Sequence, residues 1–191
     1  MTSPTIAVVV RTQDGVFQPM LLGVKPNATL YRLTGCVLRK VTRHGTSPCI
    51  VTLRDLPADV FVFVNVPVET TNHMFLEALA EQAMHEDCGL ASGLLINEKR
   101  IILSPDPYAG QVLKPQAIQE IRSITNLSPH FFATRRDRLL SVGGLGVISS
   151  ERMPELLRHL TDAAHKANLQ LLVTPYAVAE LSSSNGSSPG L

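Results

Sequence analysis

Short runs rich in β-branched residues fill the first third of the chain, and longer runs with helical spacing follow. Thr5 to Thr12 reads as a strand. Asp14-Gly15 then supplies the left-handed backbone tolerance that suits a hairpin into a second apolar run near Val16 to Val24. Pro19 has no N–H to give a ladder, so that second strand lies at an edge or starts after it. Leu30 to Arg43 predicts a strand or a bent pair of strands with the bend at Gly35, and Cys49 to Leu53 predicts another. In Val60 to Val66, Val60, Val62, Val64 and Val66 take one face, and Phe61, Phe63 and Asn65 take the other. Apolar side chains on both faces predict a central strand covered on both sides. Together these runs predict an N-terminal antiparallel sheet.

The spacing then changes to that of a helix, from about Thr71 to Asp87, with Phe75, Leu76, Leu79, Ala80, Ala83 and Met84 as its buried stripe. Thr70, Thr71 or Asn72 is the expected cap, and Gly89 stands just past the end, where glycine commonly terminates helices. Glu86 and Asp87 occupy the C-terminal end, the negative pole of the helix, which calls for a basic neighbour. Beyond Gly93 the pattern predicts a strand or hairpin (94–103), a helix (114–126), two strands (131–134 and 139–148), a helix (151–167) and a strand (169–174). That is β-α-β-β-α-β, the element order of a ferredoxin-like unit. The expected fold class is α+β: residues 1–180 form one body, with a β-rich part carrying the acidic helix over 1–92 and a βαββαβ-like part over 93–180. The Ser/Gly-rich end, 181–191, reads as a flexible tail.

Composition narrows the class. With 45% hydrophobic and 17% charged residues, 191 residues can bury a core without metal or disulfides. Three cysteines and an N-terminus without a basic, strongly apolar leader point to a reducing, cytoplasmic compartment. The longest apolar run, Val60 to Val68, falls well short of the ~20 residues a membrane-spanning helix needs.

Charge adds the most. The net charge of +1 conceals a segregated chain. Between Gly15 and Arg54 stand Lys25, Arg32, Arg39, Lys40, Arg43 and Arg54 with no acid. Between Asp55 and Glu98 stand Asp55, Asp59, Glu69, Glu77, Glu81, Glu86, Asp87 and Glu98 with no base.

Candidate chemistry is sparse. Cys36, His44 and Cys49 with His85 and Cys88 offer zinc-type ligands at loose spacing, and His73, Glu77, Glu81 and His85 form a four-residue ladder whose bland reading is a solvated helix face. Cys88 beside His85 and Asp87 has the residue types of a nucleophilic triad, but consecutive positions at a helix end point apart. Gly143-Gly144-Leu145-Gly146 matches neither a dinucleotide fingerprint nor a P-loop and reads as a strand bend. No cofactor and no catalytic set is therefore assigned.

Two functional classes remain in front of a metal- or cysteine-dependent enzyme. One is a non-enzymatic interaction or assembly protein that binds protein partners, itself included, through Arg39, Lys40 and Arg43 on the basic side and Glu77, Glu81, Glu86 and Asp87 on the acidic side. The other is an RNA or single-stranded nucleic-acid binder using those bases with Arg135, Arg136 and Arg138 and a stacking Phe132. Weighing against it are the absence of an aromatic-rich RNP pattern and an aromatic content of 5%. The segregated charge poses a geometric question. Bases packed against the acids are internal neutralisation, and bases facing elsewhere are a recognition surface.

Overall fold

The computed structural model describes residues 3–11, 26–34, 37–42, 45–66, 68–70, 73–105, 108–113, 120–127, 129–141 and 153–181. Its elements in chain order are β1 (Ile6–Arg11), β2 (Ala28–Thr34), β3 (Val37–Thr42), β4 (Gly45–Val51), β5 (Val60–Val64), β6 (Val68–Thr70), α1 (Phe75–Met84), β7 (Cys88–Ile96), β8 (Ile102–Ser104), β9 (Arg122–Ile124), β10 (Phe131–Arg135), α2 (Arg136–Ser141), α3 (Met153–Lys166) and β11 (Gln170–Leu181). All eleven strands join one mixed sheet in the order β4-β3-β2-β1-β5-β10-β7-β11-β6, with β8 added to β7 and β9 to β11.

Helices cover both faces of the middle of that sheet. Helix α1 packs over β5, β10, β7 and β11 from one side. From the other, α3 packs on β7 and β11, and α2 on β10. Two cores result, one on each face. Val60, Val62, Val64, Phe131 and Leu95 face α1 with Phe75, Leu76 and Leu79, while Phe61, Phe63, Phe132, Leu90 and Leu94 face α3 with Leu156 and Leu160. The doubly covered central strand expected at Val60 is therefore β5, buried at all five positions between β1 and β10. Phe63 stacks on Phe132 with ring centroids 5.0 Å apart, and Phe75 meets Phe131 at 5.3 Å on the opposite face. Buried hydroxyls in this zone are satisfied: Ser92 donates to the Phe131 carbonyl at 2.9 Å and Thr134 to that of Gly89 at 3.2 Å.

Mixed α+β composition stands, but the expected arrangement changes in both halves. The N-terminal strands are not a simple antiparallel sheet, because β1 runs parallel to both β2 and β5. The Asp14-Gly15 hairpin and the run to Val24 lie outside the described residues. Leu30 to Arg43 does yield a pair of strands, β2 and β3, antiparallel and closing at Thr34 opposite Val37. In the second half the βαββαβ order is not found among the described residues. Residues 122–124 are a strand on β11 instead of part of a helix, and 139–141, where the apolar pattern predicted the start of a strand, belong to the helix Arg136–Ser141. Both departures have a tertiary cause. A three-residue strand is too short for periodicity to mark, and Leu139 buries its side chain from a short helix as well as from a strand.

The helix expected over 71–87 runs from Phe75 to Met84. Gly89 does not cap it. It lies inside β7, where a Cβ would sit 2.5 Å from that of Ala164, so it is a point of close approach between the strand and α3. Helix α3 matches its predicted span and ends in a Schellman cap: Asn168 adopts φ 53°, the Leu169 N–H donates to the Ala164 carbonyl at 2.9 Å, and the Asn168 N–H donates to that of His165. Strand β11 is longer than expected and carries a wide irregularity. Val173 pairs with Ser92 but Val178 with Leu94, so Thr174 to Ala177 bulge opposite Gly93, and Tyr176 is left 58% exposed. No helix among the described residues is long and apolar enough to cross a membrane.

Candidate functional site

The basic segment folds into a wing on which no helix among the described residues packs closely. Strands β2, β3 and β4 close one margin of the sheet, and β4 is paired only with β3 among the described residues. Tyr31, Leu33 and Leu38 turn one face of the wing into the α3-side core. On the α1 side, the pairings Arg32 with Arg39 and Arg39 with Ile50 set three side chains in a row across the strands. Arg39 is exposed and Ile50 is 63% exposed. Lys40, also exposed, stands opposite Tyr31 and so points to the α3 side. Arg43 lies outside the described residues.

The acids are elsewhere. Glu77 and Glu81 ride on α1, Glu77 half-buried and Glu81 exposed, and Glu86 and Asp87 occupy the exposed turn into β7. Helix α1 spans β5 to β11, whereas β3 lies beyond β1 and β2 from β5. Arg39 and Lys40 are thus not packed against Glu81 to Asp87. The basic neighbour expected for the C-terminal acids belongs to the second basic cluster: Glu86 lies close enough to Arg135 to raise the guanidinium's pKa, after the larger effect of the Asp137 hydrogen bond.

That second cluster is occupied with structure. Arg135 makes a bidentate pair with Asp137, its Nε donating at 2.7 Å and its Nη2 at 2.5 Å, and this holds the Asp137 carboxyl below its ordinary range. Arg136 donates to the Leu56 carbonyl and, at 2.6 Å, to that of Arg54, tying the 53–58 segment to the end of β10. Arg138 is half-buried and lines a shallow cleft with Gly89, Ser141, Leu160 and Ala164. Phe132 is fully buried against Phe63, so it offers no ring to a base, a correction to its expected stacking role. Its strand is doubly covered, a fact invisible in two adjacent phenylalanines.

Among the described residues the chemical candidates do not assemble. Cys49 is exposed on β4 and Cys88 is buried on β7, with β3, β2, β1, β5 and β10 between their strands. Cys36, His44 and Gly143 to Gly146 lie outside the described residues. The His73 ladder is broken, since α1 starts at Phe75 and His85 has left helical geometry. No group of three or more His, Cys, Asp or Glu residues placed to hold a metal occurs among the described residues. Burial pushes the Cys88 thiol up to about 12, against a smaller opposing effect of Arg138 and Arg135, so it stays protonated at neutral pH.

Sequence reasoning missed a second pair of like charges. At the opposite margin, Glu180 of β11 is registered directly across from Glu69 of β6. Arg32 and Arg39 were in principle legible, because a short connection centred on Gly35-Cys36 brings them into register. Glu69 and Glu180 join distant parts of the chain and leave no local signal. In comparisons with known proteins, no family model and no curated sequence matches this chain.

Proposed function

We propose that this chain is a non-enzymatic interaction and assembly protein that binds protein partners, with further copies of itself among them, through its separated basic and acidic surfaces. The observation that carries the reading is the distance in the sheet between Arg39 and Lys40 on β3 and the α1 acids, which sit over β5 to β11. Bases with no acidic element packed on them among the described residues direct their field outward, where it steers a complementary surface. The free cysteines, Cys49 exposed and Cys88 buried, are in keeping with a reducing, cytoplasmic setting. Nucleic acid is the less favoured partner, since Arg135, Arg136 and Phe132 are engaged within the fold.

Sedimentation or light scattering of the nuclease-treated chain over a concentration series tests this. The expected result is an oligomer that grows with concentration at low salt and dissociates near 1 M salt, where the screening length falls to ~3 Å. A monodisperse monomer at every concentration removes self-association from the reading, and absorbance at 260 nm that salt strips away moves it to nucleic acid.

A further inference from the structure

The two margins of the sheet carry opposite errors. Like charges directly across a strand pair are unfavourable, by roughly 0.2 to 1 kcal/mol. Arg32 faces Arg39 at the β4 margin and Glu69 faces Glu180 at the β6 margin. The exposed Arg39 and Lys40 stand one strand in from the β4 edge, and Glu69 and Glu180 stand at the β6 edge, so joining like margins gathers like charges. Neither margin repels the other.

We infer that the β4 margin of one copy docks alongside the β6 margin of the next, continuing the sheet from molecule to molecule. This rests on the self-association proposed above and names the surfaces that make it. Strand direction permits it. Following the pairings across the sheet, β4 and β6 run in opposite directions, so copies in the same orientation meet as an antiparallel pair.

Both faces of the junction match. On the α1 side, the exposed Ile50 of β4 comes beside Val68 of β6 and its partner Leu181, which is itself 36% exposed. Val68 belongs to the α1-side core, which fixes the side of that row. On the α3 side, Lys40 of β3 lies two strand spacings, ~10 Å, from Glu69, with Glu180 behind it, within reach of extended side chains. The junction is heterologous, so the assembly closes into a ring or runs on as a filament.

The test uses Lys40→Glu and Glu69→Lys in the full chain, both at exposed positions, with thermal melting to verify folding. Sedimentation equilibrium should show association weakened about tenfold or more in each variant alone. An equimolar mixture should associate again, because the carboxylate introduced on β3 of one variant then meets the ammonium introduced on β6 of the other. If the wild-type chain associates while both variants match it, or if the mixture fails to re-associate, this junction is wrong and self-association stands on another surface. A wild-type monomer overturns the junction together with the self-association beneath it.

Discussion

Strands β5 and β7 bury every residue, while β3 and β4 bury only Leu38 among their described side chains, though all four belong to one sheet. The difference lies in what covers them. Between α1 and α3 a strand position has no access to water on either face, so charge is excluded and the few polar groups, Ser92 and Thr134, spend their hydroxyls on backbone carbonyls. Along β3 one face is open, and there Arg39 and Ile50 sit side by side. Charge in this protein is kept off the doubly covered strands and stands on the open wing and on the outer surfaces of the helices. Segregation along the sequence thereby becomes segregation in space.

Substitution should expose that contrast. Truncating Phe63→Ala removes a ring stacked between Phe61 and Phe132 and should cost about 3 to 5 kcal/mol in chemical denaturation. Ile50→Ala on the wing should move the same midpoint by no more than ~0.5 kcal/mol. A comparable loss at both sites would mean that the wing is covered in solution by the molecule's own chain. Gly93→Ala should follow in size, at about 1 to 3 kcal/mol, since its Cβ would fall 1.9 Å from the Ala177 carbonyl oxygen and force β11 away from β7.

The two free cysteines sharpen the comparison chemically. Cys49 should react with a thiol reagent in the folded protein, and Cys88 only on unfolding. Because the folded thiol of Cys88 is raised from 9.0 to about 12, its contribution to stability is fully present below pH 9 and is lost as pH rises from there towards 12. Between pH 8 and 10.5 the wild-type chain should lose about 1 to 2 kcal/mol more than Cys88→Ala, and equal slopes would place that thiol in contact with water.

How far the sequence carried depends on where each signal was stored. The α3 stripe of Met153, Leu156, Leu160 and Ala164 and the two apolar faces of β5 are local, periodic and strong, and both elements formed as read. The pairing of β2 with β3 across a short connection was also local. Strand order was not. Nothing near Ile6 reveals that β1 is flanked by β2 and β5 in parallel, and nothing near Arg122 reveals a ladder with β11. Among candidate residues, Arg39 and Lys40 kept their exposed setting, whereas Phe132 and Arg136 lost theirs to β5 and to the 53–58 segment, partners far away in the chain. Charge blocks were readable in order; which block faces which was written only in the topology.

Strand β11 has a consequence for how the molecule is made. It is the last of the described elements to leave the ribosome, yet β7, β9 and β6 all pair with it and α1 leans on it. Until it arrives, the β7 edge and the part of α1 that lies over β11 stand open, and β6 and β9 have no neighbour at all among the described strands. Completion of this half of the sheet therefore waits for the last of the described strands and is a step of high contact order, before which β7, buried at every position in the finished fold, lacks its β11 neighbour.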